Sequence, residues 1–302
     1  MEVITGMRAD VLAASVVTLG MFDGVHRGHQ ALLQTCRREA SARGVAAAAL
    51  TYEPHPSQIL HPSHPIPLLT PLREKLGRLA QTGIDVTVVP QFTHAFSQLS
   101  PHAFLSEVLV AALHPVLVVA GYRTTFGHAR AGNAEVLRDC GARMGFAVEI
   151  VEPIALAGDP VSSTRIRQCL ESGDVALAAE LLGYRYEVTA LVTPGDGRGR
   201  QLGIPTANLE PPPEKLIPAD GVYVVDVPRP EGIFRAVMSI GNRPTFDRPR
   251  TLEVHLLDYA GDLYGQQITV IFRRYLRPVR AFATVTELMA RILEDITEAR
   301  VE

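Results

Sequence analysis

A change of rhythm near residue 183 constrains this 302-residue chain more than any other feature. Before it, strand-like and helix-like runs alternate. Residues 16–19, 45–51, 86–89, 116–120 and 147–151 read as strands, and 28–43, 71–82, 101–113 and 133–144 as helices. Leu32, Leu33, Cys36 and Ala40 form one apolar stripe on the first helix, and Gly44 is a C-terminal stop. Such alternation predicts an α/β, Rossmann-like domain: a parallel sheet with helices on its faces and its ligand at the carboxyl ends of the strands. After a short helix at 175–182 come strand-like runs at 186–192, 221–227, 234–240, 252–257 and 267–272, separated by Gly/Pro/Asp turns. Leu252-Glu253-Val254-His255-Leu256 alternates apolar and polar side chains, as a strand with one buried face does. This half predicts an antiparallel barrel or sandwich, closed by a helix with a Thr284/Glu287 capping box and Leu288, Ile292 and Ile296 on one side. The expected domains are 1–183 and 184–302.

Composition narrows the function classes. Hydrophobic residues make up 47% of the chain, enough for a full core, and the net charge of −3 gives no polyanion signal, so no nucleic-acid partner is expected. No apolar run reaches the ~20 residues of a membrane span. The start of the chain lacks the pattern of a signal peptide, and Cys36, Cys140 and Cys169 form an odd, unpatterned set. A cytoplasmic protein, monomeric or weakly oligomeric, is the expectation. Lys75 and Lys215 are the sole lysines and neither lies in a Gly-Lys-Ser/Thr phosphate loop.

Three stretches carry chemistry. In "GMFDGVHRGHQ" (20–30), His26 and His29 sit at a turn from strand to helix. Gly20, Gly24 and Gly28 let the backbone approach a ligand, Phe22 lies between them, and a helix N-terminus attracts an anion. Phosphate chemistry, a structural role and metal binding are all open for the pair. In "VSSTRIR" (161–167), hydroxyls including Ser163 and Thr164 and the guanidiniums of Arg165 and Arg167 gather where a helix begins. The alternative is a helix cap with solvated arginines, but the two stretches together favour phosphate.

The third stretch is "GDGRGRQLGIPTANL" (195–209). Gly195, Gly199 and Gly203, with Arg200, suit a tight loop whose amides wrap a phosphate. Thr206 and Asn208 lie two apart in an extended segment, so their oxygens face one side and suit a hard cation such as Mg²⁺. A Gly-rich hairpin is the alternative reading.

"GMFDGVHRGHQ" with "VSSTRIR" resembles the HxGH nucleotidyltransferases, and more narrowly the FMN adenylyltransferase half of the prokaryotic bifunctional riboflavin kinase/FAD synthetases. "TYEPHP" (51–56), "LLTPLREKLGRLAQTGID" (68–85) and "FSQLSPHAFL" (96–105) are similar to the same family. "GVYVV" (221–225), "IGNRPTF" (240–246), "LEVHLLD" (252–258) and "DLYG" (262–265) resemble its riboflavin kinase module. The resemblance spans roughly residues 15 to 298. It implies that His26 and His29 stabilise the ATP phosphates and that Ser163, Thr164 and Arg167 grip them. It implies a six-stranded antiparallel barrel with a C-terminal helix, Mg²⁺ with ATP held through Thr206 and Asn208, and Glu253 as general base. Riboflavin, FMN and ATP are the implied small-molecule partners, with flavin contacts from Arg123, Phe126 and Arg277.

One stretch departs from the family pattern. Similar proteins read Gly-aromatic-Asp/Asn-aromatic-x-Phe-Gly after the strand at 116–120. Here "AGYRTTFGHARAGN" puts Arg123 at the Asp/Asn position and Thr124 at the second aromatic, while Phe126, Gly127 and Gly132 remain. The exchange leaves two readings open: drift with the backbone role retained, or an altered or weakened adenylyl transfer.

Overall fold

The computed structural model describes all residues except 196–198, 200–202 and 242–249. Arg200 and the last five residues of "IGNRPTF" lie outside the described residues. The chain divides into two compact units, Met1–Ser163 and Thr164–Glu302.

The first unit is built on six parallel strands: β1 (Glu2–Thr5), β2 (Ser15–Leu19), β3 (Ala46–Leu50), β4 (Val86–Val89), β5 (Pro115–Gly121) and β6 (Ala147–Val151), in the order β1-β4-β3-β2-β5-β6. All five residues of β2 are buried, because helices cover both sheet faces. Alternate side chains feed two cores. Val17, Leu19, Ala48, Leu50, Val118 and Ala120 enter one with Phe104, Leu105 and Leu109. Val16, Ala47, Ala49, Leu117 and Val119 enter the other with Leu33, Cys36 and Ala40 of the helix Arg27–Arg43. Gly44, at φ 64°, ends that helix as expected.

The chain runs from β2 outward through β3 to β4, then crosses to β5 on the other side of β2. The order therefore reverses between β2 and β5, and their carboxyl ends flank the crevice where open α/β sheets bind ligands. Gly20–His29 follows β2, and the stretch with Arg123 follows β5.

The second unit is a closed antiparallel barrel. The small hairpin β7 (Ala155–Leu156) and β8 (Asp159–Pro160) closes the first unit; the barrel strands are β9 (Glu187–Thr193), β10 (Ala207–Glu210), β11 (Gly221–Arg229), β12 (Gly232–Gly241), β13 (Thr251–Leu256) and β14 (Gln267–Arg277). The barrel order is β10-β13-β12-β11-β14-β9. Val188, Ala190, Tyr223, Val225, Met238, Leu252, Val254, Val270 and Phe272 fill it and are all buried. The helix Val285–Arg300 brings Ile296 and Ala299 against Val224, Val237 and Leu276 on its outside.

Four local expectations change. β1 was not foreseen; it is a four-residue edge strand paired only with β4. The helix expected over 101–113 contains a wider π segment, Phe104–Val110. β14 runs five residues past the expected end, to Arg277, beside β11, with irregular register at two places. The Thr284 hydroxyl accepts from the Glu287 N–H, but the Glu287 carboxylate accepts from Ala283 rather than Thr284, so the capping box is displaced by one residue. The helices Ser163–Glu171 and Val175–Leu182 belong almost wholly to the second unit; the latter lies against β14.

Candidate active sites

In the first unit, the turn after β2 is held in an unusual backbone path. Phe22 (φ 50°) and Val25 (φ 35°) join Gly24 (φ 84°) in the left-handed region. Such non-glycine residues cost on the order of 1–3 kcal/mol each and persist where surroundings fix them. Buried Asp23 supplies the fixing: its carboxylate accepts from Leu69 N at 3.2 Å and Thr70 N at 2.9 Å. The Thr70 hydroxyl accepts from Gly24 N at 2.8 Å, and Thr51 Oγ1 donates to Met21 O at 3.0 Å. The Ser163 hydroxyl donates to Asp23 O at 2.8 Å, so the end of this unit returns to the same turn.

This path delivers both histidines to the N-terminus of the helix Arg27–Arg43. His26 is its N-cap, and its Nδ1 accepts from His29 N at 3.3 Å. The imidazoles stack with centroids 3.7 Å apart at 15°, and Phe22 meets His29 edge-on at 5.3 Å. A Cβ on Gly28 would lie 3.2 Å from the His26 ring, so glycine gives that ring its room. Burial lowers the His29 pKa well below its usual value, and the positive charges of His26 and Lys75 lower it further. His29 is therefore a neutral imidazole. Its buried Nδ1 has no partner among the described residues, and the first helical turn has no acidic side chain. Parallel stacked rings set their nitrogens side by side rather than converging on one ion. Among the described residues no group of three or more His, Cys, Asp or Glu could hold a metal.

Lys75, Asp23 and Thr70 are constituents that sequence reasoning passed over. Lys75 is 5% exposed, and its Nζ donates to Tyr52 O at 3.2 Å. Burial lowers its pKa, while the Glu53 and Asp23 carboxylates push it back up. The sequence did carry a signal: Pro71, Lys75 and Leu79 share the buried side of one helix, and a lysine on that stripe is out of place.

At the end of β5, Arg123 is exposed and Thr124 Oγ1 accepts from Gly121 N at 2.9 Å. Phe126 is buried and packs against Phe104 at 5.6 Å, in a chain of rings with Phe96, Phe92 and Tyr52. The structure thus gives Phe126 a core position and leaves Arg123 at the surface of the crevice loop. Thr164 is exposed and Arg167 half-buried in the first turns of the helix Ser163–Glu171, within the second unit.

In the second unit, the β10–β13 register sets Asn208 opposite Glu253, and β12 sets Ser239 on the other side of Glu253. Leu252, Val254 and Leu256 point inward, so Glu253, half-buried, lies on the outer face with Asn208. The Thr206 hydroxyl donates to Glu253 Oε2 at 3.2 Å. Gly195 and Gly199 come close to the same place. A Cβ on Gly195 would fall 1.9 Å from Asn208 Nδ2, and one on Gly199 would fall 2.4 Å from Ile204 O and 3.1 Å from Thr206 Oγ1. Gly203 is needed for its φ of 77°. Hydroxyl, amide and carboxylate oxygens thus gather under a backbone that admits no side chain, a donor set that fits a hard cation such as Mg²⁺. A cavity of about 270 Å³ adjoins them, lined by Pro205, Thr206, Val254, Tyr259, Leu263 and Tyr264 among others.

Arg277 does not join this group. It lies three strands round the barrel, and its guanidinium grips buried Asp295 with Nε at 2.9 Å and Nη2 at 2.6 Å. Arg291 reaches the same carboxylate at 3.0 Å.

A strained turn with two stacked histidines at the switch point of a parallel sheet, followed in one chain by a barrel carrying an oxygen-lined, glycine-flanked site, is the make-up of a nucleotide-dependent transferase. The model of the FAD synthetase family matches residues 9–165 and that of the riboflavin kinase family residues 182–301. The bifunctional riboflavin kinase/FMN adenylyltransferase of Escherichia coli K12 is 39% identical, covering 94% of this chain and 91% of its own. The enzyme of the same name from Bacillus subtilis is 35% identical over 95% of this chain and 92% of its own. A crystal structure described as a macrolide-efflux protein from Streptococcus pneumoniae superimposes with a TM-score of 0.90 at 30% identity, over 99% of each chain. The chain belongs to the bifunctional riboflavin kinase/FMN adenylyltransferase family. Among the described residues no helix is long and apolar enough to cross a membrane.

Proposed function

We propose that this one chain carries out two consecutive ATP-dependent transfers: riboflavin to FMN in the barrel, then FMN to FAD with release of pyrophosphate on the parallel sheet. The observation that carries the reading is that the two halves match the two family modules in the order of bifunctional relatives that cover nearly the whole chain, each with its own candidate phosphate-handling residues. We place the functional boundary near Gly183; residues 166–181 fall in neither matched family region.

In the first unit, an FMN phosphate oxygen attacks the α-phosphorus of ATP as the bond to the β-phosphate oxygen breaks. His26, His29 and the helix N-terminus, with the backbone of Gly20, Phe22, Gly24 and Gly28, stabilise the charge that builds there. Ser163 shares the turn through Asp23, and Thr164 and Arg167, next along the sequence, are the further phosphate donors of the reading. Arg123 is the residue offered to the flavin; Phe126 supports its loop from the core, and Arg277 supports the flavin side of the barrel through Asp295.

In the second unit, Glu253 takes the proton of the ribityl 5′-hydroxyl as that oxygen attacks the γ-phosphorus and ADP leaves. Thr206 and Asn208 would hold Mg²⁺, which when bound supplies charge neutralisation of the phosphates. The amides of Gly195, Gly199 and Gly203, with Arg200, enclose the phosphates. The cavity beside Thr206 takes the nucleoside end of ATP. The protein works as a monomer or weak oligomer in a reducing cytoplasm, which suits its three free, buried cysteines.

The test is a two-substrate assay. Riboflavin with Mg-ATP yields FMN and then FAD, and FMN with Mg-ATP yields FAD, separated by chromatography. FMN formation without FAD would reduce the reading to riboflavin kinase alone, with Arg123 the residue to revert.

A further inference from the structure

We propose that His255 is a positioning residue of the kinase site: its imidazole fixes the Pro205 carbonyl and, through the next peptide, the hydroxyl of Thr206. The inference rests on the reading of Thr206 and Asn208 as cation ligands. The ladder between β10 and β13 has two pairs, Ala207 with Val254 and Asn208 with Glu253. One further step would set Thr206 opposite His255. The ladder stops there because Pro205 has no N–H and the chain must turn away into the glycine loop.

At that point His255 takes over from the backbone. Its Nδ1 lies 2.7 Å from Pro205 O. A carbonyl oxygen only accepts, so Nδ1 carries the proton, and it does so in both the neutral and the charged ring. Glu253 and His255 are two apart on β13 and share its outer face, so one strand ties the 205–208 segment through both. The loop adds Ile204 N donating to Gly199 O at 2.8 Å and the close approach of Gly199 to Thr206. Mg²⁺ tolerates little deviation from octahedral geometry. An oxygen on a segment just beyond the end of a ladder needs such a tie to meet it.

The experiment compares wild type, His255→Ala, His255→Asn and Thr206→Val as full chains. Amide exchange of residues 204–208 is followed without nucleotide, and KM for Mg-ATP and kcat are measured for FMN formation. In His255→Ala the segment exchanges faster, and KM for Mg-ATP rises about fivefold, the scale of one lost neutral hydrogen bond, with kcat within about twofold. The side-chain N–H of His255→Asn restores both. Unchanged KM in His255→Ala, or an asparagine variant no better than alanine at wild-type Tm, overturns the proposal. Near-normal KM and kcat in Thr206→Val would instead overturn the cation-site reading, and the proposal with it.

Discussion

The rings of His26 and His29 lie face to face, 3.7 Å apart, at the first turn of one helix. The charge of His26 is one obstacle to His29 taking a proton. For His29 the burial of its ring is the larger obstacle, and the charges of His26 and Lys75 add to it. A histidine depressed in the folded state leaves stability intact above the unfolded pKa of about 6.5 and loses it as pH falls below that value, because the unfolded chain binds the proton first. Denaturant unfolding between pH 7 and pH 5 should therefore show a steeper loss in wild type than in His29→Gln. The excess slope approaches 1.4 kcal/mol per pH unit, about the value for one proton. Equal slopes would mean that His29 titrates normally.

Under the proposed function, Glu253 serves one reaction only. Glu253→Ala should cut FMN formation by about 10²-fold or more, the scale of a lost general base. The rate of FAD formation from supplied FMN should stay within about twofold, because adenylyl transfer belongs to the other unit. Parallel loss of both activities would contradict two separate sites.

The glycine loop is a steric prediction. Gly199→Ala puts a Cβ 2.4 Å from the Ile204 carbonyl, where backbone and not a flexible side chain must give way. Kinase kcat/KM should fall roughly tenfold or more, equivalent to about 1.4 kcal/mol of lost transition-state stabilisation. Gly77→Ala, where a Cβ meets nothing within 4 Å on a helix, is the silent comparison.

Arg277 and Asp295 make a stability prediction. Arg277→Ala strips a buried carboxylate of its two-point partner and should cost about 3 kcal/mol, the low end for breaking a buried pair. It falls at the low end because Arg291 still reaches Asp295 at 3.0 Å. Thermal unfolding measures it. A riboflavin KM that rises severalfold with little change in Tm would give Arg277 a direct flavin contact instead.

Much of this was legible in the residues. The alternation of runs gave five of the six parallel strands, since a strand buried on both faces needs an unbroken apolar run and its helix an apolar stripe. β1 escaped because it is short and at an edge, where little burial shapes its pattern. Glu253 was legible because period-two alternation puts it opposite Leu252 and Val254. His255 obeys the same rule and was passed over, since nothing local tells that a proline 50 residues earlier offers its carbonyl. Phe126 and Arg277 show the reverse: the family resemblance implied flavin contacts for both, and the ring of Phe104 and the carboxylate of Asp295 engage them in the fold.

By itself the sequence determined the two folding patterns and the residue types at each phosphate-handling stretch. Both depend on local periodicity and on chemistry that each residue carries wherever it sits. The tertiary structure decided which of these residues meet. Strand order brings the ends of β2 and β5 to one crevice, register sets Asn208 opposite Glu253, and buried Asp23 holds strained Phe22 and Val25 in place. These relations join residues tens of positions apart, so they are fixed by packing and hydrogen bonding across the fold, which no local pattern encodes.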